Sequence, residues 1–431
     1  MSRVGESWGR WPKPQDQQLL ALRRRHDPLP AATRPLLAYG QGRSYGDSCL
    51  NSGGTLLLAR GLDHFLHFDP GTGVVACEAG ATLGEVLEIA VPQGWFLPVV
   101  PGTRLATVGG ALANDVHGKN HHRAGSFGDC VRAFELLRSD GSRRTLRPGD
   151  PLFAATVGGL GLTGLVTWVE LQLQRVAGPW MQVESLRYDS LDDFFALSAQ
   201  SAESHEYTVA WVDCLARGKA LGRGHFLRAN HAAPGAAGAL PGAGLPMPIT
   251  PPVSLVNRLT LRPFNALYYH RQRARRRESV QHYTPYFHPL DGIRDWNRIY
   301  GPHGFLQHQC VLPPAQARDA VAALLGEIGR SGRGSFLAVL KEFGDRPAPG
   351  LLSFARPGTT LALDFPRRGR EVFALLDRLD AIVAEAGGAL YPAKDARMSP
   401  ALFRAGQPGL PAFLPHIDPA FSSSFWRRVM E

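Results

Sequence analysis

Two glycine-rich stretches constrain this chain more than any other part of it. The first is "GQGRSYGD" (40–47). The second, "PGTRLATVGGALANDVHGKNHHRAGSFGD" (101–129), joins a Pro-Gly turn, a Thr-x-Gly-Gly step into a short helix of small residues, and a histidine cluster. Glycine at that density marks backbone that turns tightly or lets another group come close. Adjacent glycines opening a helix leave backbone N–H groups free for an anion. One such stretch alone reads as a tight loop. Two make a pair of backbone cradles, enough for the two phosphates of a dinucleotide.

A third cluster, "GLGLTG" (159–164), matches the GxGxxG fingerprint, and Glu184 follows at about the 20-residue distance where that motif has its acidic residue. The fingerprint needs a strand before the glycines and a helix after them. Here helix-like "PLFAATVGG" precedes and alternating "LVTWVELQLQRV" follows, an order that argues against a nicotinamide-binding Rossmann site.

The rest of the first 175 or so residues reads as short strands. "GTLLLAR" (54–60) is a buried strand, and "HFLHFDPGTGVVACEAG" is strand, turn and strand bent at Pro70-Gly71. "TLGEVLEIAVPQG" has helical spacing and stops before Gly94. "VRAFELLRSDGSRRTLRP" is a hairpin closed at Asp140-Gly141, and "GLVTWVELQLQRV" (164–176) is one long strand. From about residue 178, strand-like "EYTVAWVDCLA" and "FLQHQCVL" alternate with helix-like "PAQARDAVAALLGEIGRSG" and "REVFALLDRLDAIVAEAGG", predicting an α+β domain with helices on one face of a sheet. The Ala/Gly/Pro-rich stretch 231–256 predicts a mobile insertion, and the basic "YYHRQRARRRE" (268–278) follows it.

A chain of 431 residues has room for two domains with cores of their own. No run approaches the ~18 apolar residues of a membrane span, and "MSRVGESWGRWPKPQ" has no apolar signal region, so the expected location is cytoplasmic. Cys49, Cys77, Cys130, Cys214 and Cys310 are scattered and lack CxxC spacing, which argues against a disulfide framework or a structural zinc site. His117, His121 and His122 have no carboxylate or cysteine pattern to complete a metal site, so they read as the lining of a pocket. The formal charge of +10 fits a nucleic acid, an anionic membrane surface, a phosphorylated ligand or plain solvated surface. Neither a DNA-reading motif nor an aromatic stacking platform is present to support the first.

Taken in order, "GRSYGD", "PGTRLATVGGALANDVHGKNHHRAGSFGD", "TVGGLGLTG", "FHPLDGIRDWNRIYGPHGFLQHQ", "SFLAVLKEFG" and "YPAKDAR" resemble the decaprenylphosphoryl-β-D-ribose 2′-oxidase family, FAD-linked oxidases of the vanillyl-alcohol oxidase type. The resemblance spans roughly residues 35 to 420. It implies an α+β, two-domain fold: an FAD-binding domain from residues 1–177 joined by a C-terminal return over 391–431, and a substrate-binding domain over 178–390 with a mobile insertion at 231–278.

The resemblance also implies site residues. Ala38, Tyr39, Gly40, Gln41, Gly42, Arg43, Ser44, Tyr45, Gly46, Asp47 and Ser48 would wrap the FAD pyrophosphate. Gly102, Thr107, Val108, Gly109, Gly110, Asn114, Asp115, Val116 and His117 would line its other side. Gly164 and Leu165 would lie near the adenine or ribityl portion, and Tyr391 near the flavin. Lys119, Trp211, Gln307, Gln309, Lys341, Phe343 and Lys394 would join His117 in the substrate pocket. The implied activity is oxidation of a secondary hydroxyl on a sugar, carried on a polyprenyl phosphate, with a short-chain reductase as the partner that consumes the keto sugar. An aldonolactone or alditol oxidase acting on a free sugar is the alternative. Hydride transfer needs a base for the hydroxyl proton, and His117 and Lys394 are the candidates. Relatives that attach FAD covalently have a histidine where this chain has Tyr45, which implies a non-covalent cofactor with Tyr45 packed beside it. Thr360 and Ala362 replace an asparagine and a cysteine of mycobacterial members, and Val209 replaces a serine, which leaves the chemistry in place and bears on substrate identity. Apart from the resemblance, the Ala/Gly/Pro stretch followed by five closely spaced arginines predicts that residues 231–278 help the chain meet an anionic surface, a peripheral contact with a membrane.

Overall fold

The computed structural model describes residues 4–31, 33–242 and 244–430, so residues 1–3, 32, 243 and 431 of the expected spans lie outside the description. The glycine-punctuated first part builds two sheets. Gln18–Ala21, Thr55–Leu58 and Leu36–Tyr39 form a parallel three-stranded sheet in that spatial order. Phe65–Asp69, Val74–Glu78, Leu165–Gln172, Val131–Leu137 and Arg143–Leu146 form an antiparallel five-stranded sheet. The helix Leu83–Ala90 starts at a capping box between Thr82 and Glu85, and the short turn after it ends at Gly94, whose φ is 78°. A residue other than glycine is strained there. One expectation is corrected: the strand predicted over 164–176 is broken. It leaves the five-stranded sheet after Gln172, where the Leu173 N–H bonds to the Gly73 carbonyl, and resumes as Gln174–Arg175 against Trp95–Phe96.

From Trp180 onward the chain builds one antiparallel sheet of eight strands. Across it run Arg276–His282, Trp180–Tyr188, Gly224–His231, Tyr207–Val212, Ala338–Phe343, Gly358–Pro366, Phe305–Leu312 and Ala389–Leu390. The register decides what each face carries, because side chains alternate along a strand. Trp211 is opposite Val339, Lys341 opposite Thr360, Gln309 opposite Ala362, and Gln307 opposite Asp364. These residues share one face. Cys310, Leu340, Leu361 and Leu363 point the other way into the core, on the side where the helices Pro314–Ser331 and Arg370–Glu385 pack.

The stretch 231–278, expected as a mobile insertion, carries more regular structure than that. Asn257 caps a helix, Arg258–His270, by accepting from the backbone N–H groups of Leu259 and Thr260, and Leu261, Asn265 and Tyr269 bury one side of it. Arg276 then begins the edge strand of the large sheet, paired with Trp180–Tyr188. The arginines of the basic run therefore sit partly on an edge strand, where charge also blocks further strand pairing.

The chain closes back on its beginning. Leu36 bonds through its N–H to the Ala420 carbonyl and through its carbonyl to the Ser422 N–H. Arg428, on the helix Ser424–Met430, grips both carboxylate oxygens of Asp47 at 2.7 and 2.8 Å and reaches Asp395 at 2.8 Å. The glycine loop at 40–48 is thereby fixed from the far end of the sequence.

Candidate active site

The glycine loops of the first part and the polar face of the eight-stranded sheet enclose a cavity of about 670 Å³. Gly40, Gly42, Ser44 and Ser48 reach it from one loop, Gly102, Thr107, Gly110 and Asn114 from another, and Gly164 and Leu165 from a third. Thr107 caps the short helix Val108–Ala113 by accepting from the Gly110 N–H. Two features show room for a ligand rather than mere tight packing. A Cβ built on Gly102 would meet nothing within 4 Å. The buried Ser48 hydroxyl makes no hydrogen bond within the protein, an arrangement that costs free energy until a partner arrives.

The sheet side is basic. His117 stands at its centre, with Nδ1 3.1 Å from Lys341 Nζ and Nε2 2.9 Å from the Gln309 amide. Lys341 also donates to the Gly118 carbonyl at 3.0 Å. Lys119 donates to the Tyr286 carbonyl and lies over that ring, 4.2 Å from its centroid. Lys394 rests on the ring of Tyr45, with Nζ 3.6 Å from the centroid. Behind it, Asp364 accepts from Gln307 Nε2 at 2.6 Å and from the Tyr300 hydroxyl at 3.2 Å.

Burial governs how these groups titrate, since a low dielectric disfavours the charged form. It brings Lys341 down to about 7, helped by the charge of Lys394, and Lys119 down to about 7, helped by Lys341. His117 is held well below its ordinary value, first by burial and then by Lys341, so it is neutral. Lys394 and Asp364 form a coupled pair: burial lowers the amine and raises the carboxyl, and each charge opposes the shift of the other.

Most of the residues expected at the site line this cavity: Ala38, Gln41, Arg43, Gly109, Val116, His117, Lys119, Trp211, Gln307, Gln309, Lys341, Tyr391 and Lys394 join the loop residues named above. Seven others do not, each for a local reason. Tyr45 turns its ring to Lys394 and to the edge of Phe305, so it supports the amine from behind. Tyr39 gives its hydroxyl to the Glu6 carbonyl. A Cβ on Gly46 would lie 1.7 Å from the Asp395 carbonyl oxygen, so its glycine serves loop packing. Asp47 is spent on Arg428. Val108 is core. Asp115 accepts from Ser126, Ser353 and the Gly128 N–H, and Phe343 packs against the rings of His117 and His121.

Sequence reasoning missed Tyr268, Arg271, Gln281, Tyr286 and Phe287, which complete the wall. The tyrosines of "YYHRQRARRRE" and the aromatic run "YTPYF" were the available signal.

Comparison with known proteins adds to this geometry. Residues 28–147, which contain both glycine stretches, match the model of the FAD binding domain family. Over 419 residues the chain is 38% identical to a decaprenylphosphoryl-β-D-ribose oxidase of Mycolicibacterium smegmatis, covering 92% of this chain and 89% of that protein. It is 40% identical over 369 residues to an uncharacterised protein of Streptomyces coelicolor, covering 81% and 99%. An alditol oxidase of a Streptomyces species is 29% identical over 121 residues, or 28% of this chain.

Proposed function

The chain belongs to the decaprenylphosphoryl-β-D-ribose oxidase family and is an FAD-dependent oxidoreductase acting on CH–OH groups; on that premise we propose that it converts the 2′-hydroxyl of a polyprenyl-phosphate-linked pentose to a ketone. The observation that carries this reading is the convergence of His117, Lys119, Lys341 and Lys394 on one cavity whose described lining residues include no Asp or Glu. A neutral free sugar gives Lys119 and Lys341 no opposite charge. A sugar phosphate gives them one, through charge-assisted hydrogen bonds.

When bound, FAD supplies the acceptor for the hydride that leaves the sugar carbon. The chain's own part is to hold the sugar and manage its proton. His117 is engaged at both ring nitrogens, which suits it to positioning. The Lys394 amine makes no hydrogen bond among the described residues, and burial lowers its pKa, so an unprotonated amine is available to take the hydroxyl proton. Gln307 and Gln309 orient the sugar hydroxyls, while Lys119 and Lys341 meet the phosphate. The keto sugar suits a short-chain reductase that returns hydride to the opposite face, and the lipid chain calls for peripheral contact with a membrane.

Anaerobic mixing of the FAD-loaded protein with polyprenyl-phosphoryl ribose should bleach the flavin absorbance. Faster bleaching by an alditol or aldonolactone than by the lipid-linked sugar would replace this reading with the free-sugar one.

A further inference from the structure

The helix Arg258–His270 has two apolar faces, and the protein covers only one of them. Leu261, Asn265 and Tyr269 recur every fourth residue and are buried. Leu259, Pro263 and Leu267 recur in the same way two positions out of step, which on a helix is the opposite side. Leu259 is 85% exposed and Leu267 73% exposed. The segment leading into the helix exposes Leu240, Leu245, Ile249, Val253 and Leu255 as well. Monomeric proteins rarely leave so much large apolar surface in one stretch unless something meets it.

The basic run after the helix is partly neutralised, Arg275 by Asp189 and Arg276 by Glu184 and Glu278, and it leaves other arginines free of such partners. Arg262, Arg273 and Arg277 are exposed and make no ion pair among the described residues, and the helix itself contains no acidic residue. Between the buried and exposed faces, Phe264 packs on Phe336 with ring centroids 4.2 Å apart, and Tyr268 packs on Trp211 at 4.5 Å. Tyr268 and Arg271 belong to the wall of the cavity, with Arg271 stacked 3.7 Å over the Tyr268 ring. The exposed stripe is therefore next to an opening of the site.

We infer that this helix is a membrane-docking element for an anionic bilayer. Leu259, Pro263 and Leu267 enter the boundary between headgroups and acyl chains, and Arg262, Arg273 and Arg277 meet the anionic headgroups. An in-plane helix with apolar residues on one face and arginines beside it binds in this manner. The occupant is a bilayer rather than an acidic protein because the apolar side chains project singly from a convex helix and line no groove. Docking sets the mouth framed by Tyr268 and Arg271 at the surface where a polyprenyl-phosphate sugar is anchored, and this clause rests on the substrate reading above; the docking itself does not.

The test uses full-length, FAD-loaded protein and sedimentation with vesicles of neutral phosphatidylcholine, alone or with about a third phosphatidylglycerol. The wild type should bind the anionic vesicles at least tenfold better, and the difference should shrink as salt rises. Leu259→Glu/Leu267→Glu should lose at least tenfold in binding, and Arg262→Gln/Arg273→Gln/Arg277→Gln should lose the preference for anionic lipid. Both variants should retain FAD and oxidise detergent-dispersed lipid-linked sugar at the wild-type rate. Equal wild-type binding to both vesicles, or unchanged binding by the leucine variant, overturns the inference. So does a wild-type dimer that the leucine variant converts to a monomer, which would make the stripe an interface between copies. Vesicle binding without oxidation of any lipid-linked sugar leaves docking standing and removes the substrate reading; the converse result removes docking alone.

Discussion

Lys394 lies on the face of Tyr45, its Nζ 3.6 Å from the ring centroid. The ring supports the amine from behind while its front stays open to the cavity. Lys394→Ala should therefore keep FAD, which rests on many backbone contacts, and lose about 10²–10³ in the rate of flavin reduction, or about 3–4 kcal/mol. Anaerobic stopped-flow bleaching measures it. Near-normal bleaching in the loaded variant would move the proton to His117.

Because Tyr45 cannot form the histidyl linkage, acid precipitation should leave the yellow flavin in the supernatant. A pellet that retains the flavin would show another attachment.

Asp364 is the carboxylate whose charge keeps the pKa of Lys394 from falling further. Asp364→Asn retains the shape and the Gln307 contact but removes that charge, so Lys394 should lose its proton at lower pH. The acid limb of the flavin-reduction rate should move to lower pH in the variant. If the limb stays where it is in the wild type, Lys394 is not the group that sets it.

Two glycines should respond differently to a side chain. Gly102→Val adds atoms to open space, so the apo-protein should melt as the wild type does while FAD affinity falls at least tenfold. Gly46→Ala collides with the Asp395 carbonyl and should lower stability whether or not FAD is present. Isothermal titration and thermal melts separate the two effects.

The buried lysines make the stability of the apo-protein depend on pH. Lys119 and Lys341 titrate at about 7 in the fold, against 10.5 when unfolded. The unfolded chain thus binds more protons between those values, and stability rises with pH there. Cys77, Cys214 and Cys310, raised by burial to about 12, oppose this once unfolded thiols ionise near 9. Asp115, raised to about 6, loses its contribution before pH 7 is reached. The melting temperature of the apo-protein should therefore climb from pH 7 to about 9. A flat or falling curve would mean that water or bound anions already relieve the lysines.

The glycine stretches, the hairpin at Asp140-Gly141 and the helices over Pro314–Ser331 and Arg370–Glu385 were legible because each depends on local chemistry: φ freedom, turn preference and period. Asp364 was not. It stands near the end of the apolar run "GTTLALDFP", and only the register with Phe305–Leu312 sets it beside Gln307. Within the glycine motif, sequence could not separate Ser48, which faces the cavity, from its neighbour Asp47, which faces Arg428. Both are polar and buried, and the difference is made by a helix from the other end of the chain. The helix Arg258–His270 was hidden for another reason: its exposed leucines mask the period that its buried face would have shown.

The grip of Arg428 on Asp47 spans 381 positions, and that distance has a meaning in time. A ribosome that has finished Asp47 must still add 381 residues before Arg428, and with it the clamp that holds the loop, exists. A nascent chain stalled short of Arg428 would carry the glycine motif without the clamp that fixes it.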